Sequence, residues 1–451
     1  MHDLQDPSTG HRSVAKECFR ENEIDGEITL VGKGTAAGSY LRRFWHPIAL
    51  TAEVGGLPVR LTVLGEDLVL FRDKSGRYGL VHRACPHRLA SLEYGTCEDN
   101  GIRCCYHGWK FDIDGTILDV PGQPLDAANR IKKNVKLGAY AVREFSGLVF
   151  AYLGPSEFEP PFPHYDAYDI PGLEMVPYKA PFHCNWLQVL DAILDPIHTS
   201  FLHSRNSRVQ FSEGLGAIGE LEFYELGNQY VGTNARRVGD HIWVRANELI
   251  LPNFTQAGAA YSTDGTTARY FGRSSFTRWV LPITDTESLA IGWANFGERG
   301  DPVEWNTPQG IELIEQGEVF DRTYEEKQRF PADAEAVEGM GPITVHRNEH
   351  LAPSDKGIVM MRRRLRDEIR AVQRGERPRL PTDLGTKSIP TYGGDTVLHL
   401  PIPRDADEGK ALKSVASRVM QAQFAAQSLE GEQRDEAVIA SLKEIEAVGV
   451  W

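Results

Sequence analysis

The chain is poor in sulfur. Its 451 residues include six cysteines and six methionines, too few for a disulfide scaffold, so stability must come from a hydrophobic core. No apolar run approaches the roughly 18 residues needed to cross a bilayer. The segment from Met1 to Asp25 is polar and mixed in charge, without the apolar centre of a secretory leader. Excess positive charge is missing too: 49 Lys and Arg against 63 Asp and Glu give a formal charge of −14. A nucleic-acid binder needs a basic face to neutralise phosphates, so that class is excluded. Repeats and low-complexity tracts are absent, as is the Gly-x-Gly-x-x-Gly fingerprint that opens a dinucleotide-binding helix. These absences predict a soluble, cytoplasmic chain with reduced thiols. At 41% apolar and 25% charged residues, it is long enough for two globular domains.

What the sequence does contain is concentrated. Cys85-Pro86-His87 and Cys104-Cys105-Tyr106-His107 are separated by sixteen residues. The pattern offers two thiolates and two imidazoles from two facing loops, the ligand set of a Rieske [2Fe–2S] centre, with two Cys on one iron and two His on the other. A structural zinc site uses the same four ligand types. Three details favour iron. Each pair mixes Cys with His, whereas zinc fingers group like with like. Gly108-Trp109 follows the second pair, so a glycine turn brings amides toward the sulfurs. The flanks (Val59 to Leu64, a Gly65-Glu66-Asp67 turn, Leu68 to Phe71) read as β-structure. Ala90 and Tyr106 stand where a bridging disulfide between the loops would need cysteines.

A β-rich unit therefore runs to about Leu153-Gly154-Pro155, and the proline-rich stretch from Pro155 to Pro163 marks a junction. From Leu221 to Phe296, strand-like runs such as His241 to Val244 and Phe276 to Leu281 predict a large antiparallel sheet. Helical patterns flank it at about 185–203 and 355–374, and a charged helical tail from Ala411 to Ala447 reads as cheap to solvate.

In the first flanking helix, Asp191, Asp195 and His198 fall at i, i+4 and i+7, one stripe of an otherwise apolar helix. Such a stripe is expensive without a compensating charge, which a metal would supply. His203 lies about 140° off the stripe on a regular helix. The helix must therefore end or loosen near Thr199 for both histidines to reach one ion, and Pro196 makes irregularity plausible. Taken alone, His-x4-His is as compatible with two satisfied histidines. Two His and one carboxylate on one face of Fe(II) leave positions open for O2 and water. The preferred third ligand is Asp355, which shares a helix face with Ile358 and Leu365. Asp333, Glu349 and Asp367 are the rivals.

With these two motifs, Cys85-x-His87…Cys104-x2-His107 and Asp191-x3-Asp195-x2-His198-x4-His203, the chain from Tyr40 to about Ile369 resembles the large (alpha) subunit of the Rieske non-haem iron aromatic-ring-hydroxylating oxygenases. Arg42 to Pro47, Asn185 to Gln188 and Glu349 to Val359 are most similar to the phthalate-dioxygenase-like branch. The resemblance implies an α+β fold: a β-sandwich Rieske domain (45–155) inserted into a helix-grip, START-like catalytic domain (1–44 and 156–451). It implies a head-to-tail homotrimer, or a stacked hexamer, in which electrons pass from one subunit's cluster to its neighbour's iron. Asp195 matches the bridging aspartate that joins His198 to the partner subunit's His107. The family usually has proline where Cys105 stands and glycine where Leu89 stands.

The activity implied is that of a terminal oxygenase. It uses O2 and NAD(P)H-derived electrons, delivered by a flavin-dependent reductase with or without a ferredoxin. The expected reaction is hydroxylation or oxidative N/O-dealkylation of an aromatic compound; cis-dihydroxylation of an aromatic carboxylate is the alternative. Arg205 and Arg208 are candidate carboxylate clamps, and surface or subunit contacts explain them equally well. Asp191 and Phe201 are further substrate-side candidates. Leu202, Trp243, Phe254 and Phe276 suit either a pocket or a core.

Overall fold

The computed structural model describes residues 23–206, 211–258, 260–315, 322–381 and 387–449; Arg208 lies outside them. Two antiparallel sheets build the first half. The strands are β1 (Trp45–Leu50), β2 (Val59–Val63), β3 (Glu66–Arg72), β4 (Tyr78–His82), β5 (Thr96–Glu98), β6 (Gly101–Arg103), β7 (Lys110–Phe111), β8 (Ile117–Asp119), β9 (Ala139–Phe145) and β10 (Leu148–Tyr152). The larger sheet runs β1-β10-β9-β4-β3-β2 and the smaller β5-β6-β7-β8. A core of Val69, Phe71, Val81, Leu92, Ile102 and Phe111 lies between them, as alternation of apolar residues along β3 and β4 demands.

The second half is a curved antiparallel sheet of β11 (Glu174–Phe182), β12 (Glu220–Leu226), β13 (Gln229–Val238), β14 (His241–Ile250), β15 (Phe254–Ala257), β16 (Arg269–Arg273), β17 (Phe276–Pro282), β18 (Ser288–Phe296) and β19 (Gly394–His399). Its main order is β11-β18-β17-β15-β14-β13-β12, with β19 paired to β14 and β16. Gly239-Asp240 closes the β13–β14 hairpin, Val238 pairing with His241. Gly239 has φ +60°, which a two-residue hairpin turn requires and glycine adopts without steric cost. The two halves share one core, in which Phe150 of β10 meets Trp279 of β17 edge-on at 5.4 Å.

Two expectations change. The helix expected over 185–203 is broken into Trp186–Asp191, a 3-10 turn Ala192–Leu194, Pro196–Phe201 and a π-helical turn Leu202–Asn206. Pro196 lacks the amide that would continue the first helix. The tail is not merely solvated. Its helices, Glu408–Ala425 and Gly431–Val448, bury Leu412, Val415, Val419, Val438 and Leu442. Arg434, 1% exposed, pairs with Asp166 and donates to the Thr391 carbonyl at 3.0 Å. Among the described residues, no helix is long and apolar enough to cross a membrane.

Candidate metal centres and substrate cavity

The four cluster residues converge from two similar loops. Between β4 and β5, the Cys85 amide donates to the Ala90 carbonyl at 2.9 Å and the Leu89 amide to the Cys85 carbonyl at 2.9 Å. Between β6 and β7, the Cys104 amide donates to Trp109 at 2.8 Å and the Gly108 amide to Cys104 at 3.1 Å. Leu89 and Gly108 both adopt positive φ, +62° and +71°, so leucine sits where the turn favours glycine. The His87 and His107 rings lie 4.5 Å apart, and His87 stacks on Trp109 at 4.6 Å.

This site fits a [2Fe–2S] cluster. Cys85 and Cys104 are buried free thiols. Among the described residues His87 Nδ1 is buried with no hydrogen-bond partner, as a nitrogen reserved for a metal would be. Burial pushes the Cys85 thiol up to about 11, while the His87 and Arg88 amides aimed at its sulfur pull the other way. Burial, then His107 and Arg88, lower His87, favouring the neutral imidazole that binds metal.

At the second centre, the π-helical turn provides what a regular helix would not. A wider turn places His198 and His203, five residues apart, side by side, with rings 5.2 Å apart. Asp195 opens this helix: its Oδ1 accepts the amides of Ile197 at 3.2 Å and His198 at 3.4 Å. Its main-chain oxygen takes His198 Nδ1 in a short contact, which leaves Nε2 as the outward lone pair. That lone pair faces Asp333. Asp333 Oδ1 lies 3.7 Å from His198 Nε2 and 3.4 Å from His203 Nε2. One ligand atom from each of these three residues falls within a 4.8 Å span. The trio fits a single ion of the two-His, one-carboxylate type.

The carboxylate that the fold brings to the two histidines is Asp333 rather than the expected Asp355. Asp355 sits in a 3-10 turn, Pro353–Asp355, before the Lys356–Gln373 helix, and its Oδ2 accepts the Ala352 amide at 2.6 Å. The local backbone uses the carboxylate, so it is not delivered to the histidines. Asp191 stands apart from the trio. It is buried against Arg362, whose Nη2 lies 2.5 Å from Asp191 Oδ2 and 3.0 Å from Glu349 Oε1. Burial outweighs Arg362 and raises the Asp191 carboxyl to about 6.

A cavity of about 60 Å³ adjoins the trio. Phe182, Val189, Phe211, Leu215, Phe276 and Ile314 form its apolar wall. The polar part comes from Arg245 and Asn247 on β14, Ser275, and Arg278 on β17. Burial lowers Arg245, opposed by Asp395 and Asp301; Arg278 lies 4.4 Å from the Phe276 ring centre. Of the substrate-side candidates, Phe276 lines this cavity, whereas Trp243 and Phe254 are core. Phe201 and Arg205 turn away. Arg205 lies over the Phe201 ring at 4.9 Å and donates to the Gly216 carbonyl at 3.0 Å. Residues two apart on a helix point to opposite sides, so Phe201 and His203 cannot share the cavity. Leu202 and Asp191 line a separate recess of about 220 Å³ on the other side of His198 and Asp333. Arg245 and Arg278 escaped the sequence reading. The available signal was a charge at an inward position of each apolar strand.

Two clustered metal sites, one on a small β-sandwich and one beneath a curved sheet, define a Rieske-type oxygenase. Residues 44–133 match the Rieske [2Fe-2S] domain family. The sequence is 36% identical over 446 residues to the tert-butanol monooxygenase / tert-amyl alcohol desaturase oxygenase subunit of Aquincola tertiaricarbonis, covering 93% of each chain. It is 37% identical over 374 residues to the phenoxybenzoate dioxygenase subunit alpha of Ectopseudomonas oleovorans, covering 78% of this chain and 87% of that one. The fold is shared with dicamba monooxygenase bound to dicamba (TM-score 0.56, 17% identity, 75% of this chain and 100% of that one). It is shared also with NdmA of Pseudomonas putida CBB5 (TM-score 0.58, 19% identity, 74% and 92%). The chain belongs to the Rieske non-haem iron oxygenases, as a large oxygenase subunit carrying a [2Fe–2S] cluster and a mononuclear iron and using O2.

Proposed function

We propose that this oxygenase hydroxylates or oxidatively N/O-dealkylates an aromatic compound held in the cavity beside His198, His203 and Asp333. The observation that carries the reading is the juxtaposition of that trio with an apolar wall containing three phenylalanine rings. Apolar walls with few polar groups are the usual design of a small-molecule site. Among relatives with related names is the 5,5'-dehydrodivanillate O-demethylase oxygenase subunit of Sphingobium sp., 32% identical over 417 residues.

In this reading Cys85, His87, Cys104 and His107 hold the cluster, and His198, His203 and Asp333 hold Fe(II). The iron, when bound, supplies O2 activation. The protein's own part is positional. Asp195 fixes the His198 tautomer, the apolar wall excludes water, and Arg245, Asn247 and Arg278 orient the polar end of the substrate. Asp195 also links the iron to the cluster of a neighbouring subunit in a cytoplasmic homotrimer or stacked hexamer, with a flavin-dependent reductase, and a ferredoxin where one is used, feeding electrons. The domain division at 45–155 is part of the same proposal. Dihydroxylation of an aromatic carboxylate is the second reading, favoured by the two cavity arginines, which suit a bidentate anion.

The test is turnover with a surrogate reductase, NADH and 18O2 on aryl ethers, N-alkyl anilines, aromatic acids and tertiary alcohols, read by mass spectrometry. One labelled oxygen, or alkyl loss with aldehyde release, supports the first reading. Two labelled oxygens on an aromatic acid support the second. Turnover confined to tertiary alcohols overturns both.

A further inference from the structure

A row of aromatic rings leads from the proposed iron trio to the surface. The His203 ring lies 5.4 Å from Phe211, and Phe211 lies 5.5 Å from Tyr261, which places Tyr261 within about 11 Å of His203. Tyr261 then stacks on Trp305, centroids 4.1 Å apart and planes 5° apart. Trp305 is 39% exposed, so the row ends at water. Its members are held firmly. The Tyr261 hydroxyl donates to the Gly310 carbonyl at 3.2 Å and its amide to Asp301 Oδ1 at 2.9 Å. Tyrosine and tryptophan are the side chains most readily oxidised by one electron apart from thiols, and Phe211 acts only as a bridge.

We propose that Tyr261 and Trp305 form a one-electron outlet that protects the site when O2 is reduced without substrate; this rests on the trio being the iron site. With the cavity empty, O2 takes two electrons from NAD(P)H and remains two electrons short of water. Trp305 supplies these one at a time through the Tyr261 ring. At each step the indole is oxidised and its N–H proton passes to solvent, while the site takes up one electron and one proton. A soluble reductant of the thiol or ascorbate class returns a hydrogen atom to the indole. Overall, O2, two electrons from NAD(P)H, two from the soluble reductant and four protons give two waters. The indole N–H bond is broken and remade at each step, and no other protein bond changes.

The experiment is freeze-quench electron paramagnetic resonance on the reduced full-length holoenzyme, exposed to O2 without substrate and grown on indole-deuterated tryptophan. An organic radical narrowed by deuteration, lost in Trp305→Phe and diminished in Tyr261→Phe, is expected. Trp305→Phe should also inactivate faster during substrate-free reduction and accumulate oxygen adducts on cavity residues. Its iron content and substrate-coupled product should stay unchanged, since neither ring lines the cavity. No radical, or one unchanged in Trp305→Phe, overturns the outlet. An Asp333→Ala protein that keeps its mononuclear iron overturns the iron assignment instead, so the two failures are distinguishable.

Discussion

Replacing Arg362 with methionine removes the cation between Asp191 and Glu349 while keeping a long apolar stem. The side chains of Arg362, Asp191 and Glu349 are 12%, 9% and 21% exposed, so both carboxylates would be stranded largely out of water. Breaking a buried pair by deleting one partner costs about 3–5 kcal/mol, and that is the loss expected near neutral pH. The pH dependence is more diagnostic. Asp191 titrates at about 6 in the folded chain against 3.8 ordinarily. Between about pH 4 and 6 the folded state therefore binds the proton more tightly, and this group's contribution to stability falls as pH rises through that window. Arg362 is the main influence opposing that rise. Without it the carboxyl climbs further and the window extends toward neutrality. The deficit of Arg362→Met should hence shrink on going from about pH 8 to about pH 6, and adding Asp191→Asn should recover much of it. Urea denaturation at fixed protein concentration measures all three proteins. A deficit under about 1 kcal/mol, or one identical at both pH values, would refute the reasoning.

Asp333→Ala should lose the mononuclear iron and all product while keeping the visible cluster spectrum. Asp355→Ala should keep both metals and cost only about 1 kcal/mol, the value of a helix-terminal cap; iron analysis and absorbance separate the two. Asn185→Ala removes a cap on Leu187 and donors to the Thr29 and Asp285 carbonyls at 2.9 and 2.7 Å. The cost should be about 2–4 kcal/mol, seen as an earlier denaturation midpoint. Leu89→Gly relieves a left-handed leucine that is 75% exposed and should stabilise by about 0.5–1 kcal/mol in the same assay without altering the cluster.

The cluster was legible because its ligands occupy two short loops whose spacing is itself the chemistry. His198 and His203 were legible for a related reason: both sit in one turn of chain, and the need for that turn to loosen followed from the angle between them. Asp333 was harder to see. Its helix, Asp333–Glu338, has six residues, too few for a periodic face to show. Asp355 heads an eighteen-residue amphipathic helix, Lys356–Gln373, whose stripe drew attention to it. Periodicity reports which face is buried, but not that a carboxylate at a helix start prefers its own backbone amides. The cavity arginines were hidden by the opposite effect. On β14, Trp243, Arg245 and Asn247 alternate inward among apolar neighbours, and only the pairing of β14 with β15 and β19 shows that this face borders a cavity.

The position of β19 has a consequence for biogenesis. Residues 394–399 pair along β14, Asp395 opposite Arg245, across some 150 residues of intervening chain. The two cluster loops close against each other across fewer than thirty. Contacts distant in sequence form late, because loop closure must precede any gain from pairing. During synthesis, the electron-accepting half is therefore shaped well before the wall of the oxygen-handling half is in place. The chain acquires a place to store an electron before it has a place to use one.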